Sequence, residues 1–413
     1  MRYVVIGSSA AGVNAVRELR KLDPQGEIVL VSKDEHIYSR CILHQYLSGE
    51  RTLERLNFAE PDFAELYRVN WMKGREAIGL DRQAKELILD GDERLSYDKL
   101  LIATGSHTFV PPIKGLDEAD NYIGFRNLDD IEVLKEVAKT CSHIVVLGSG
   151  LVGIDCATGY LHMGVKVTLV DFASWLLNKQ LDERAAQPYI DAFNAAGVEQ
   201  HYGVGVNEVH VDDNHKIYEV VLSDGTVIPC DFFVVTAGVR SNVEFLKDSG
   251  LELSRFGLVY NEFGETNDPD IYGAGDVSGK SPIWPAAVKE GMVAAGNMVG
   301  KREQLTDFFA SKSTMSFLGI HTMSLGIVTP PDDTYRVDTY DQKGVYKKIV
   351  SKDGMIVGAL LQGDLAYGGV LQQMIARRID VRRVKKPLFD IDYSDFFHER
   401  SDLEFTYEEE GLK

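Results

Sequence analysis

Two glycine-rich turns, one glycine–aspartate pair and one cysteine are the parts of this sequence whose types and spacing could do chemistry. The first turn reads Gly7-Ser8-Ser9-Ala10-Ala11-Gly12 and the second Gly148-Ser149-Gly150-Leu151-Val152-Gly153. In a turn of this spacing the first glycine permits the tight bend, the second position lets backbone approach a pyrophosphate, and the last glycine lets helix and strand pack closely. Free N–H groups at the helix start then meet the phosphates. Each turn is therefore a dinucleotide cradle in prospect, the first built from Gly7, Ser9, Ala10, Ala11 and Gly12, the second from Gly148, Gly150, Leu151, Val152 and Gly153. Asp171 closes the strand after the second turn, where a carboxylate can accept both ribose hydroxyls of an adenosine and would repel a 2′-phosphate. That favours NADH over NADPH. After the first turn the same place is held by Ser32, then Lys33, with Asp34 or Glu35 as substitutes.

The elements that must position these turns are legible in the flanking residues. Tyr3-Val4-Val5-Ile6 and Ile144-Val145-Val146-Leu147 are β-branched runs that lead into the turns, and Val13, Val16 and Leu19 follow the first at helical spacing. Leu101-Ile102-Ala103-Thr104-Gly105 and Val234-Val235-Thr236-Ala237-Gly238 are apolar strands stopped by small-residue turns. Gly273-Ala274-Gly275-Asp276 precedes a helical stretch that begins near Trp284. Asp224-Gly225 lies between two strand-like runs and predicts a hairpin. Strand-like stretches at 347–350 and 356–361, then a helix at 369–379, predict a mixed α+β C-terminal region.

A chain of 413 residues has room for two or three domains. Its 44 Lys and Arg against 63 Asp and Glu give a net charge of -19, which repels polyanions and argues against nucleic acid or acidic lipid as a partner. The four cysteines contain no CxxC pair and no metal-ligand spacing, so neither a disulfide framework nor a metal site is expected. The N-terminus enters an apolar run without a basic leader, and no apolar stretch reaches the roughly 20 residues that cross a bilayer. A cytoplasmic protein with no membrane partner is the expectation.

In combination, the two turns, Ala103-Thr104-Gly105, Ala237-Gly238 and Gly275-Asp276 resemble the pyridine nucleotide-disulfide oxidoreductases, FAD-dependent enzymes that use NADH or NADPH. The resemblance covers roughly residues 1 to 300, with the motifs in that family's order. It implies an α/β fold with two Rossmann-like domains: a discontinuous FAD domain over 1–110 and 239–304, and an inserted NAD(P)H domain over 111–238. An α+β interface domain over 305–413 would form a homodimer. FAD would take the first turn, lined further by Ser32, Lys33, Arg40, Cys41, Ala103, Thr104, Gly105, Gly275, Asp276, Pro285 and Ala286, with Asp276 holding the ribityl chain. NADH would take the second turn with Asp171 and Gly238.

Where the electrons go next is left open between two branches. The segment Tyr38-Ser39-Arg40-Cys41 is similar to that of coenzyme A disulfide reductases and NADH oxidases, which implies a redox-active Cys41 serving a small disulfide, a persulfide or oxygen. Arg40 and a helix N-terminus would lower the thiol pKa, and His44 would be a proton donor. Against peroxide chemistry, Ala10 stands where the peroxidases and oxidases carry a histidine. The segment is equally similar to NADH:rubredoxin reductases and the flavin half of nitrite reductases, in which electrons pass directly from flavin to a protein carrier. Cys41 would then be a bystander, and Arg377, Arg378, Arg382, Arg383, Lys385 and Lys386 a docking patch. An NADH-sensing flavoprotein without turnover is the alternative of another class.

Overall fold

The computed structural model describes residues 1–161, 163–280, 283–305, 312–382, 384–396, 398–399 and 401–406. Arg383, Phe397 and the acidic run Glu408-Glu409-Glu410 lie outside the described residues. The chain divides into two compact units, one of Met1–Asn178 with Ile190–Thr306, the other of Lys179–Tyr189 with Asp307–Lys413.

The larger unit is built on two parallel five-stranded sheets. In the first, Arg2–Ile6 sits between Glu27–Ser32 and Lys99–Ile102, with Val69–Lys73 and Ile271–Gly273 at the edges. Val4, Val5, Val29 and Leu30 are fully buried, because a parallel sheet is covered on both faces and its strands read as unbroken apolar runs. One face carries the helices Ala10–Leu22 and Trp284–Met298, the first of which packs on the sheet through Val13, Val16 and Leu19. The other face is covered by a small antiparallel sheet through Leu80, Leu87, Leu89 and Leu95.

In the second sheet His143–Leu147 sits between Lys166–Asp171 and Phe232–Val235, flanked by Glu199–Tyr202 and Tyr122–Ile123. The hairpin at Asp224-Gly225 joins Ile217–Leu222 to Val227–Pro229 in antiparallel register. Two short strands, Ser106–Thr108 and Val239–Ser241, pair antiparallel where the chain passes from one sheet to the other and back. The α/β class with two Rossmann-like halves is thus the one observed.

The smaller unit is an antiparallel five-stranded sheet in the order Lys312–Phe317, Ile320–Gly326, Met355–Gln362, Val345–Lys352, Arg336–Gln342. The helix Gly368–Ala376 packs on it through Leu371, Met374 and Ile375. That helix stops short of the predicted residue 379, because Arg378 adopts a positive φ of 53°. Lys348 is buried and is matched by Asp182, whose Oδ2 accepts from Lys348 Nζ and Tyr346 OH, both at 2.8 Å. No helix among the described residues is long and apolar enough to cross a membrane.

Candidate functional site

Steric demands fix both glycine turns. A Cβ on Gly7, whose φ is 113°, would lie 2.2 Å from Ala103 O, and one on Gly12 would lie 1.8 Å from Gly7 O. The second turn repeats the arrangement, with Gly148 at φ 107° and a Cβ on Gly153 lying 1.9 Å from Gly148 O. Gly150 differs, since a Cβ there meets nothing within 4 Å; open space beside the backbone is what a pyrophosphate needs. In the first turn Ser8 Oγ is buried and has no hydrogen-bond partner among the described residues, an orphaned donor facing the same requirement. Both turns therefore fit a dinucleotide.

Asp171 is tied more closely to its turn than the sequence suggests. Its Oδ2 accepts from both the backbone N–H (2.5 Å) and the hydroxyl (2.7 Å) of Ser149, and its Oδ1 accepts from Ala173 N–H at 2.8 Å. Only Oδ1 has capacity to spare for a ribose, so two hydroxyls bound by two free oxygens is not the arrangement found. Gly238, at φ 115°, is open as well.

The Gly275-Asp276 loop abuts the first turn. A Cβ on Gly275 would come within 3.2 Å of Ala11 Cβ, and one on Gly291 would lie 2.2 Å from Ala11 O, so the helix Trp284–Met298 is pressed against the helix Ala10–Leu22. Pro285 opens that helix, where its missing N–H costs nothing, and Ala286 follows, buried. Glu290 on the same helix accepts from Gly275 N–H at 2.7 Å and Tyr260 OH at 2.8 Å; burial pushes its carboxyl above the usual range. On the other side of the loop, Arg126 Nη2 donates to Asp276 Oδ2 at 2.6 Å. Sequence reasoning found neither Glu290 nor Arg126. Ala103 N–H donates to Ile6 O, while Thr104 is held through its hydroxyl and its carbonyl by Asn242. Gly105 turns the chain at φ 69°.

Around Cys41 the structure corrects several expectations. Arg40 does not serve the thiol: its Nη2 pairs with Asp34 Oδ2 at 2.7 Å and its guanidinium stacks on Tyr38. No long helix begins there either. Cys41 lies in a single 3-10 turn, Arg40–Ile42, ahead of the five-residue helix Leu43–Leu47. Burial pushes the Cys41 thiol up, the Asp155 carboxylate adds to the rise, and the Arg126 guanidinium opposes it. The predicted lowering is overturned. The residue nonetheless keeps an exposed surface. His44 Nδ1 lies 3.1 Å from Asp155 Oδ1, at ion-pair distance but off the line of a hydrogen bond. Burial raises the Asp155 carboxyl, against the pull of His44.

Other predicted residues are already engaged. Ser32 is buried, donating to Asp34 O and accepting from Trp71 Nε1, so its hydroxyl has little to offer a ribose. Lys33 is exposed and pairs with Glu76. In the basic run, Arg382 is paired with Asp380 and Lys386 with Asp395, so its charge is partly neutralised. Cys156 and Cys230 are buried and Cys141 is half-buried.

Comparison with known proteins places the chain among characterised relatives. Residues 1–291 match the family model described as pyridine nucleotide-disulphide oxidoreductase, and residues 313–379 match that of the rubredoxin NAD+ reductase C-terminal domain. The chain is 30% identical to the NADH-dependent phenylglyoxylate dehydrogenase subunit epsilon of Aromatoleum evansii, over 92% of each chain. It is 28% identical to the assimilatory nitrate reductase electron transfer subunit of Bacillus subtilis, over 95% of this chain but 51% of the relative. The chain thus spans about half the length of that relative. Among solved structures, a covalent putidaredoxin reductase–putidaredoxin complex superposes with a TM-score of 0.82 at 23% identity, over 92% of this chain and 94% of that one.

Proposed function

The chain belongs to the pyridine nucleotide-disulphide oxidoreductase family, and from that premise we propose that it is an FAD-dependent NADH oxidoreductase that delivers electrons to a redox protein or partner subunit. In this reading FAD is held by the first turn and Asp276, and NADH by the second turn and Asp171. The FAD-binding region comprises 1–110 and 239–304, the NADH-binding region 111–238, and 305–413 is the C-terminal domain. Bound FAD supplies the hydride-accepting and electron-releasing chemistry. The chain's own residues cradle phosphates, orient the two nucleotides through fixed turns, and hold a carboxylate ready for the polyol. The reading includes a cytoplasmic homodimer.

The observation that carries the choice of acceptor is the Cys41 environment. A redox thiol works as its thiolate, yet here burial and Asp155 favour the protonated form, and the adjacent arginine is committed to Asp34. Similarity of residues 313–379 to the rubredoxin reductase C-terminal domain points the same way. The test is NADH-dependent reduction of a panel of acceptors. Rubredoxin or a ferredoxin should be reduced at least tenfold faster than glutathione disulfide, coenzyme A disulfide or oxygen. Faster reduction of a disulfide would return the role of acceptor to Cys41 chemistry.

A further inference from the structure

Residues 126–130 open the helix Leu128–Thr140 of the second half of the larger unit, but their polar groups reach into the first half. Asn127 and Asp130 form a capping box, and Asp130 Oδ2 also accepts from Arg126 N–H at 2.7 Å. This fixes the backbone from which the Arg126 side chain projects. Arg126 Nη2 then donates to Asp276 Oδ2 at 2.6 Å and to Ser106 Oγ at 2.8 Å, and its Nε donates to Ser106 O at 3.3 Å. Ser106 Oγ closes the triangle by donating to Asp276 Oδ2 at 3.1 Å. Both charges are largely shielded from water, with 17% and 14% of the side-chain surface exposed. One oxygen of Asp276 is saturated, while Oδ1 has no partner among the described residues and keeps its acceptor capacity.

We infer that Arg126 is a positioning residue that holds Asp276 in place for the FAD polyol and balances its charge at the flavin site. The inference rests on the cofactor reading proposed above. Two consequences follow from the geometry. Without the guanidinium the carboxylate is free to rotate, so a hydroxyl is no longer met by a fixed acceptor. The carboxylate also stands uncompensated, making the site more negative and electron uptake there less favourable.

The test uses apo protein titrated with FAD, followed by flavin fluorescence, and the midpoint potential of the bound flavin measured by anaerobic dye equilibration. Arg126→Gln is expected to raise the FAD Kd about tenfold or more, the weight of a charge-assisted hydrogen bond, and to shift the potential to more negative values. Arg126→Lys should restore most of the potential and only part of the affinity, because an ammonium has no second nitrogen to reach Ser106 O while the first meets Asp276 and Ser106 Oγ. Should Arg126→Gln fail to fold, Ser106→Ala gives the second arm: weaker FAD binding with an unmoved potential. Arg126→Gln with wild-type affinity and potential overturns the inference. So does Arg126→Lys showing the full potential shift of a neutral residue, or Ser106→Ala binding FAD as wild type does. Wild-type protein that takes up no FAD overturns the cofactor reading itself.

Discussion

Gly153→Ala is expected to retain FAD, yet to be reduced by NADH more slowly than wild type by about a hundredfold or more. The added Cβ would lie 1.9 Å from Gly148 O, 2.9 Å from Gly148 C and 2.8 Å from Thr236 Oγ1. Two of these three atoms are backbone of the turn itself, and Thr236 is pinned by its hydroxyl to Leu147 O and Gly148 O. Relief must come from moving the turn away from the helix. A misplacement of about 1 Å at a reacting site costs roughly a hundredfold. The first turn is a separate structure with its own Gly7–Gly12 packing, so FAD content is the internal control. Stopped-flow absorbance of the flavin on mixing with NADH measures the effect, and near-wild-type rates would show that the second turn is not where NADH sits.

Asp276→Ala is expected to leave the protein largely without FAD after gel filtration. The substitution removes the acceptor of Arg126 Nη2 and of Ser106 Oγ at once, leaving a guanidinium in a shielded place with no carboxylate opposite. Breaking a pair of this kind costs about 3 to 5 kcal/mol, more than a hundredfold in an equilibrium constant if it falls on binding. Part of the cost will appear as a lower Tm. Asp276→Asn keeps an oxygen acceptor and loses the charge, so it should fall between alanine and wild type. The ratio of flavin to protein absorbance in the purified variants is the readout, and an Asp276→Ala protein with full FAD occupancy would remove this residue from the site.

The glycine turns were legible because every feature that defines them lies within a dozen residues: a β-branched run, glycines at fixed offsets, then apolar residues at helical spacing. The hairpin at Asp224-Gly225 follows from the same local signals. The partners of the site's charges were not legible. Arg126 meets Asp276 across 150 positions of sequence, and nothing in either segment names the other. A partial signal existed, since Asn127 and Asp130 spell a helix start and place Arg126 just outside it. Arg40 was misassigned for a related reason. Cys41 is its neighbour in sequence, but Asp34 and the Tyr38 ring are its neighbours in space. The titration of Cys41 was misjudged because burial and Asp155, contributed by the helix after the second turn, outweigh local charge.

On the proposed reading the two turns serve two nucleotides, and the account turns on whether anything besides flavin stores electrons between them and the acceptor. Anaerobic titration of the FAD-loaded protein with NADH counts this directly, because each hydride carries two electrons. For wild type and Cys41→Ser alike, the account predicts complete reduction at one NADH per FAD, with no long-wavelength thiolate-to-flavin absorbance. Uptake of two equivalents by wild type with such a band, reduced to one in Cys41→Ser, would contradict it.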